Sequence, residues 1–294
     1  MIFEVNLLLR RIKDEFPEIK WKSHRYVTHG WDHLVVILDG KIVFRTPKDS
    51  RYKNKLEYEI ELLRYLKKKV RVGIPEYNYV SKDKSLAGYN MLKGCELSAS
   101  RFRKLNQDER KIVAELLAEF VTVLHKTPKS VLEKLHVESD NSQKLYKQLV
   151  HDTKNHLYPR LCKKDTKLIE QYLAELKEAL NHNYINTLVH NDLITEHILW
   201  DAKNRQINIF DFSDRTLGDP ANDFAGFLEY GLKFTKHIFD LYGCKKDDYM
   251  LERSQLYFKR ISLYAMKDAL LGFPCTFEHG YKIFKKRFRL IREH

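Results

Sequence analysis

The amino-acid sequence predicts an α+β fold in which a small antiparallel sheet precedes a larger, mostly helical region. Residues 1–92 are rich in β-branched and aromatic residues between turn signals, which is typical of short strands. After Lys93-Gly94 the apolar residues recur at intervals of three and four, the spacing of buried helix faces. At about 150 residues per domain, the 294-residue chain would form one large domain or two lobes, and the change of pattern at Lys93 favours lobes of residues 1–92 and 93–294.

Strands and two helices account for the first lobe. An N-terminal surface helix is expected because apolar residues, among them Val5 and Ile12, form one stripe at helical spacing. Strands are expected over residues 24–46, with turns at Gly30 and Asp39-Gly40, and over residues 76–81 and 86–92. A helix is expected between them, over residues 53–69.

The second lobe is predicted to be a set of amphipathic helices around one irregular segment. Residues 107–125 carry apolar side chains four apart, and Asp108 and Glu109 lie in the first turn, where the helix dipole favours acids. Similar patterns cover residues 142–158, 165–182, 225–241, 249–271 and 277–291. Residues 187–224 are the exception, being polar and irregular, and loops of this kind usually carry the chemistry of a domain.

Composition narrows the class of protein. Hydrophobic residues make up 43% and charged residues 32%, which is too apolar for a disordered chain. The four cysteines lie far apart without a Cys-x-x-Cys pair, so we expect neither a disulfide framework nor a zinc ribbon, and a reducing cytoplasm fits this pattern. No run approaches 18 apolar residues, so we expect no membrane span.

The irregular segment contains an ordered set of acids and histidines. His190, Asp192 and His197 are followed by a strand-like run that ends in Asp211. A carboxylate at the end of an apolar strand is costly unless it is paired or bound to a metal. A single loop aspartate is usually a turn former or a cap, but the complete set suits a divalent cation beside a general base.

At these residues the chain resembles the kinase-like antibiotic phosphotransferases, the aminoglycoside phosphotransferase family. The segments VHNDLITEHILWD, INIFDFSD and LGDPANDF resemble its catalytic loop, its metal-binding segment and the stretch that follows. EFVTVLHK and IPEYNYVSKDKSLAGYNMLKG resemble a helix ending in Leu-His and the strand before the hinge between the lobes. The resemblance covers nearly the whole chain and is greatest to the 2''-phosphotransferase branch, with macrolide phosphotransferases as near cousins. It implies a bilobal, protein-kinase-like fold.

The resemblance also implies roles for individual residues. Asp192 corresponds to the base or orienter of the attacking hydroxyl, and His197 and Asp211 correspond to ligands of Mg²⁺. ATP or GTP is the implied co-substrate. The residues implied to bind it are Gly30 and Asp32 of the phosphate loop, Arg45 with its partner Glu59, Tyr89 behind the base, and Asn90, Met91 and Leu92 at the base edge.

The chain departs from the family pattern at three places. Arg45 stands where the aminoglycoside kinases usually have lysine, although a guanidinium can also clamp phosphate. Ser213 follows the Asp-Phe pair where protein kinases have glycine. The phosphate loop contains one glycine, Gly30.

The implied reaction transfers the γ-phosphoryl group of ATP or GTP to a hydroxyl of a small molecule. The first predicted acceptor is an aminoglycoside antibiotic, as for a resistance enzyme. Because aminoglycosides are polycations, the acids Asp219, Asp223 and Glu229 are predicted to bind the acceptor.

Two alternatives remain open. A macrolide or a metabolite hydroxyl is a second predicted acceptor, because a net charge of +13 repels a polycation at long range. The second alternative is a pseudokinase that binds nucleotide and uses a basic face to hold RNA or a partner protein. Arg45 and Ser213 favour that hypothesis, whereas the presence of Asp192, His197 and Asp211 opposes it.

Overall fold

A computed structural model of the protein describes residues 2–27, 33–49, 53–273 and 275–289. The chain divides into two compact units, each built from several segments. The first unit comprises Met1–Val123, Pro128–His136 and Glu196–Asp214, and the second comprises Leu124–Thr127, Val137–Thr195 and Arg215–His294. The division into lobes of residues 1–92 and 93–294 stays a prediction.

The first unit contains an antiparallel sheet of five strands, which confirms the predicted fold class for this part of the chain. The strands are β1 (His24–Val27), β2 (His33–Leu38), β3 (Ile42–Pro47), β4 (Tyr77–Val80) and β5 (Ala87–Asn90). They lie in the order β1-β2-β3-β5-β4, and every neighbouring pair is antiparallel. β3 therefore lies in the middle of the sheet, where a polar side chain on it is shielded from water.

Helix α1 (Ile2–Glu15) covers part of this sheet. Its apolar stripe, which includes Val5, Leu8 and Ile12, is buried against Val36 and Phe44. Full burial of such a side chain contributes about 1.5–3 kcal/mol to folding. The predicted stripe is thus confirmed, and it belongs to the main core of the sheet.

Helix α2 (Lys53–Lys67) packs against β3. Leu56, Ile60 and Leu63 form its buried apolar face, as the spacing predicted. Glu59 lies beside them and is also buried. A carboxylate among apolar side chains needs a partner, which the neighbouring strand supplies.

A second, three-stranded sheet belongs to the first unit. Its strands β6 (Cys95–Glu96), β8 (Ile198–Asp201) and β9 (Gln206–Ile209) lie in the order β6-β8-β9 and are antiparallel. The β8–β9 hairpin pairs Ile198 with Ile209 and brings the residues after β9 back beside the start of β8. Helices α3 (Ala99–Phe102), α4 (Gln107–His125) and α5 (Lys129–Lys134) follow β6 in the chain.

Helices dominate the second unit, as the sequence predicted. They are α6 (Ser142–Asp152), α7 (Lys163–Ala179), α8 (Ala221–Ala225), α9 (Leu232–Leu241), α10 (Met250–Leu270) and α11 (Phe277–Arg289). Strands β7 (Thr187–Val189) and β10 (Thr216–Gly218) form one antiparallel pair. Helix α10 packs against α7, α8 and α11, and the apolar face of α11 is buried through Phe284 and Phe288. None of the helices within the described ranges is long and apolar enough to cross a lipid bilayer.

Two predicted helices are interrupted. The helix expected over residues 225–241 is instead a 3₁₀ segment (Gly226–Tyr230), which follows directly on α8, and the separate helix α9. The break lies at Gly231, whose φ of 100° is incompatible with a helix. The helix expected over residues 142–158 ends at Asp152 and continues as a π-helical and then a 3₁₀ turn, in which Pro159 cannot donate a backbone hydrogen bond.

Candidate active site

Arg45 lies on the central strand β3 with only 6% of its surface exposed. Its Nη1 donates to Oε1 of Glu59 on α2 at 2.9 Å, and the Glu59 side chain is fully buried. The hydroxyl of Tyr77 on β4 donates to the same carboxylate oxygen at 2.8 Å and accepts from Arg45 Nη1 at 3.2 Å. The predicted partnership of Arg45 and Glu59 is therefore present as a buried ion pair.

Electrostatics fix the charge of this cluster. Burial by itself lowers the pKa of Arg45, but the charge of Glu59 and weaker contributions from Tyr77 and Asp211 outweigh it, so that the pKa lies well above its ordinary value. Burial also raises the pKa of Tyr89 to about 12, and that of Tyr77 well above its usual range. Arg45 is consequently a permanent cation beside neutral phenols.

The second edge of the Arg45 guanidinium faces the segment after β9. Nη2 donates to Oγ of Ser213 at 2.7 Å and lies 3.5 Å from Oδ1 of Asp211. Ser213 Oγ in turn donates to Asp211 Oδ1 at 2.9 Å. Nη2 also lies 3.2 Å from Nδ1 of His33 on β2. One guanidinium thus joins α2 to the predicted metal-binding aspartate.

Asp211 and His197 lie together in the first unit. Asp211 has a φ of 65°, in the left-handed region, and its side chain is 39% exposed. Nε2 of His197 lies 3.8 Å from Asp211 Oδ2. No set of three or more His, Cys, Asp or Glu side chains able to hold a metal occurs among the described residues. A cation here would take one carboxylate and one imidazole, leaving phosphate oxygens and water to complete a magnesium shell.

The loop that carries Asp192 lies in the second unit and is held by Asp223. Oδ2 of Asp223 accepts from the backbone N–H of His190 at 2.9 Å, and Oδ1 accepts from that of Asn191 at 2.9 Å. Asn191 has a φ of 67°, so the chain turns sharply just before Asp192. A Cβ at Gly226 would lie 1.9 Å from the carbonyl oxygen of Leu193, so only glycine fits there. The position of the loop is therefore fixed from two sides.

His125 completes this support. Its Nε2 lies 3.0 Å from Oδ2 of Asp223, and its Nδ1 lies 2.7 Å from the hydroxyl of Tyr242. Both the His125 and Asp223 side chains are fully buried. His125 lies at the end of α4, and its side-chain contacts go to Asp223 and Tyr242. No motif in the sequence points to Tyr242.

A sequence model of the phosphotransferase enzyme family, abbreviated APH, matches residues 23–249. The matched range contains both the cluster around Arg45 and the loop around Asp192. The chain belongs to this phosphotransferase family. The family resemblance indicated by the catalytic-loop and metal-segment motifs is confirmed.

Solved structures of related enzymes share the fold of this phosphotransferase. The GDP and kanamycin complex of an APH(2'') type III enzyme superposes with a TM-score of 0.82 at 23% identity, over 95% of this chain and 97% of that chain. The ADP-bound APH(2'')-Ib gives a TM-score of 0.67 at 20% identity and 96% coverage of both chains. Macrolide 2'-phosphotransferase MphH from Brachybacterium faecium superposes with a TM-score of 0.67 at 17% identity, over 97% of this chain and 98% of that chain.

Asp219, predicted to bind the acceptor of this phosphotransferase, is buried in the second unit. Its carboxylate accepts from Arg253 at 2.6 and 3.0 Å and from the Tyr257 hydroxyl at 2.7 Å. Arg253 also donates to both carboxylate oxygens of Asp247. Burial by itself lowers the pKa of Arg253, but Asp247 and Asp219 outweigh it and raise the pKa above its ordinary value.

Glu229 and Asp223, the two other predicted acceptor-binding acids, also have protein partners. Glu229 accepts from Arg287 at 2.7 Å and from Lys286 at 3.1 Å. Asp223, like Asp219, has at most 1% of its surface exposed and is saturated by the loop contacts described above. The acceptor-binding role of the three acids stays a prediction, whereas the structure accounts for the buried two as supports of the fold.

The described part of the second unit also contains a cavity that no sequence pattern predicts. Its volume is about 380 Å³, within the range of small-molecule sites. It is lined by Asp140, Leu145, Gln148, Leu149, Asp152, Asn191, Arg260, Tyr264 and Lys267. Asn191 immediately precedes Asp192, so the cavity adjoins the catalytic-loop motif. None of the three predicted acids lines it.

Four further residues predicted to bind the nucleotide lie in β5 or directly after it. Tyr89 is buried and its ring packs edge-on against Tyr77, with the ring centres 5.2 Å apart. Asn90 and Met91 are exposed, and Leu92 is partly buried. Their roles at the nucleotide stay predictions. Gly30 and Asp32, predicted to cover the phosphates, lie outside the described residues.

Proposed function

We propose that the protein transfers the terminal phosphoryl group of ATP or GTP to a hydroxyl of a small molecule. The observation that carries this proposal is the guanidinium of Arg45, which is fixed by Glu59 at 2.9 Å and reaches Asp211 at 3.5 Å. A buried, permanent cation beside an exposed carboxylate is what a metal–triphosphate complex requires. The cation would neutralise phosphate oxygens directly. The carboxylate would hold the Mg²⁺ that neutralises them as well.

The chemistry of the side chains suits the metal. Asp211 supplies the hard oxygen ligand that Mg²⁺ prefers, and His197 supplies a second, neutral ligand 3.8 Å from it. When bound, Mg²⁺ would neutralise the charge on the transferred group and its leaving phosphate. Arg45 would hold the same phosphates from the side of the sheet.

Asp192 would act on the acceptor. The acceptor oxygen forms a bond to the γ-phosphorus, the bond from that phosphorus to the β-phosphate oxygen breaks, and Asp192 takes the hydroxyl proton. The rigid mounting of the loop on Asp223 supports this role, because phosphoryl transfer depends mainly on positioning.

The acceptor remains a choice between the predicted classes. The kanamycin bound by one structural relative keeps an aminoglycoside as the first class to test. The cavity beside Asn191 favours the alternative, a less basic hydroxyl compound. Its lining carries Arg260 and Lys267 as well as Asp140 and Asp152, so it lacks the acid excess that suits a polycation.

The pseudokinase hypothesis is weakened by the contacts of Arg45 and Ser213. These two departures from the family pattern bond to each other at 2.7 Å, and both contact Asp211. The cluster therefore keeps a cation and a carboxylate together, which supports an active phosphotransferase.

Acceptor-dependent turnover tests the proposal. The purified protein would be incubated with Mg²⁺, with ATP or GTP, and with a panel of aminoglycosides, macrolides and simple sugars, and both diphosphate and phosphorylated acceptor would be measured. Asp192→Asn should lower kcat by about 10²–10⁴-fold while nucleotide affinity stays within about twofold. Asp248→Asn, which removes an exposed carboxylate from the same unit, is the matched control. Retention of more than about a tenth of kcat in Asp192→Asn would overturn the proposal.

A further inference from the structure

The cavity beside Asn191 contains two kinds of charged side chain. Lys267 and Asp152 form one pair, with Nζ 3.7 Å from Oδ2, and Asp152 also accepts from Gln148 at 2.7 Å. Lys267 lies 3.1 Å from Asp268 as well. These charges compensate one another, so a ligand need not bring a charged group to this pair.

Arg260 and Asp140 differ from that pair. Within the described ranges, neither has an oppositely charged group within 4.0 Å. The guanidinium of Arg260 makes one hydrogen bond, from Nη2 to Oδ1 of Asn222 at 3.0 Å, and its Nε is buried without a hydrogen-bond partner. The carboxylate of Asp140 accepts from the hydroxyl of Thr216 at 3.2 Å. The cavity therefore presents one cation and one anion that form no ion pair, although Asp140 is near enough to raise the pKa of Arg260.

Packing holds the Arg260 guanidinium in place. Its central carbon lies 4.4 Å from the ring centre of Tyr257 and 5.7 Å from that of Tyr264. Burial by itself lowers the pKa of Arg260, but the phenols of Tyr264 and Tyr257, together with Asp140, outweigh it and raise the pKa. Arg260 is thus a fixed cation whose rotational freedom has already been lost.

A guanidinium carries five N–H donors, and Arg260 gives one of them to Asn222, so donors on its Nη atoms remain for a ligand in the cavity. A guanidinium matches a carboxylate with two parallel hydrogen bonds. A polycation would leave Arg260 unsatisfied and place like charges together. A neutral hydroxyl compound would satisfy neither Arg260 nor Asp140.

We propose that the acceptor is a zwitterionic hydroxyl compound, with a carboxylate bound by Arg260 and an ammonium group bound by Asp140. This inference rests on the proposed phosphoryl transfer, since it assigns the acceptor of that reaction. It excludes polycationic aminoglycosides as the preferred acceptors, although the fold is shared with enzymes that bind them.

A series of hexoses of one size tests the charge preference. Glucose is neutral, glucosamine is cationic, glucuronate is anionic, and 2-amino-2-deoxyglucuronate carries both charges. Their affinities for the full-length protein would be measured without nucleotide, by calorimetry and by the ¹⁵N NMR shift of the Arg260 Nε–H. We expect the zwitterion to bind tightest, glucuronate and glucosamine to bind less tightly, and glucose to bind weakest, with at least about tenfold between the zwitterion and glucose.

Variants of the cavity assign the preference to its residues. Arg260→Gln should abolish the advantage of glucuronate over glucose, and Arg260→Lys should retain part of it. Asp140→Asn should remove the advantage of the zwitterion over glucuronate. Arg160→Gln removes an exposed arginine from the same unit and should leave the ranking unchanged.

The outcomes separate this inference from the proposed function. Equal affinities of the four hexoses, including no measurable binding of any, would overturn the inference, as would a glucuronate preference that survives Arg260→Gln. The ranking in wild type is informative even if a variant fails to fold. Absence of phosphoryl transfer to every compound, with the charge ranking intact, would instead count against the proposed function.

Discussion

The guanidinium Nη2 of Arg45 lies 2.7 Å from the hydroxyl oxygen of Ser213, and Nη1 of the same group lies 2.9 Å from Glu59. Both Arg45 and Ser213 depart from the residues that the family pattern leads one to expect. Their contact gives a physical reason for finding both in one chain. A guanidinium has more donors than an ammonium group, and a serine hydroxyl offers an acceptor that glycine lacks.

Replacing Arg45 should weaken nucleotide binding. Arg45→Ala removes the cation that we propose to hold the phosphates, so the nucleotide KM should rise at least about tenfold, equivalent to ~1.4 kcal/mol of lost binding. Arg45→Lys should recover part of the loss, because a point charge reaches phosphate but cannot fork. Glu59→Gln should give a milder form of the same defect. Steady-state kinetics at saturating acceptor measure all three.

The stability of these variants is the control. Removing one partner of a buried ion pair costs about 3–5 kcal/mol, and Glu59 is fully buried. Each variant must therefore be shown by circular dichroism to be folded at the assay temperature. Arg45→Lys is included because it keeps a positive charge beside Glu59 and should destabilise the fold less. An unchanged KM in folded Arg45→Ala would mean that another cation holds the phosphates.

Arg45 and Ser213 should be energetically coupled. A double-mutant cycle of Arg45→Lys and Ser213→Gly measures this coupling. Residues in one hydrogen-bond network typically show a coupling free energy of about 0.5–3 kcal/mol. We expect Arg45→Lys to cost less nucleotide affinity when Ser213 is already glycine. The hydrogen bond from Arg45 to Ser213 is then missing before Arg45 is replaced, so the replacement cannot remove it. Additive effects within about 0.3 kcal/mol would show that the contact is incidental.

Asp211→Asn should raise the Mg²⁺ concentration that gives half-maximal activity and should lower turnover with it. The substitution removes the carboxylate charge that would face the metal. His197→Ala should move the same midpoint less, because water can replace a neutral ligand. Glu196→Gln, an exposed neighbour in the sequence, is the matched control. An unshifted Mg²⁺ midpoint in Asp211→Asn would make Asp211 a structural residue.

The sequence predicts the strands and helices of this protein better than the partners of its acids. Apolar spacing predicts α2, and the family resemblance implies the pairing of Arg45 with Glu59, 14 residues farther along the chain. The roles of Asp219 and Asp223 depend on partners that are much more distant in the sequence. Arg253 is 34 residues from Asp219, and His125 is 98 residues from Asp223. No local pattern records such pairs, so surface acids and buried scaffold acids look alike in the sequence.

Periodicity also fails where a single backbone angle decides the structure. Residues 225–241 have helical spacing throughout, yet Gly231 adopts a φ of 100° and separates two helices. The cavity beside Asn191 is equally invisible, because Asp140 and Arg260 come from distant parts of the chain and neither belongs to a motif.

Asp223→Asn should damage the catalytic loop without touching the acceptor. The carboxylate accepts hydrogen bonds from His190, Asn191 and His125, and a hydrogen bond to a charged group contributes about 1.5–3 kcal/mol. We expect lower thermal stability and lower kcat, with the acceptor KM changed less than about twofold. Hydrogen exchange at the amides of His190 and Asn191 should accelerate. A large rise in KM with normal exchange would instead restore the predicted acceptor-binding role.

Glu229 should make the stability of the protein pH-dependent. Burial by itself raises the pKa of this carboxyl, but its bonds to Arg287 and Lys286 outweigh burial and lower the pKa below the ordinary value of 4.5. A group whose pKa is lower in the folded state stabilises the fold fully above its unfolded pKa, and the contribution disappears as the pH falls through the folded pKa.

Glu229→Gln should therefore lower the free energy of unfolding by about 1–2 kcal/mol at pH 7, discounted for the exposure of Lys286. The difference from wild type should shrink as the pH falls below about 4.5. Thermal unfolding from pH 3 to pH 8 measures it, and Glu170→Gln, an exposed glutamate on α7, controls for the loss of one charge. A difference that is constant over this range would mean that the ion pairs of Glu229 do not stabilise the fold. A raised acceptor KM in the same variant would show that Glu229 binds the acceptor, as the sequence predicted.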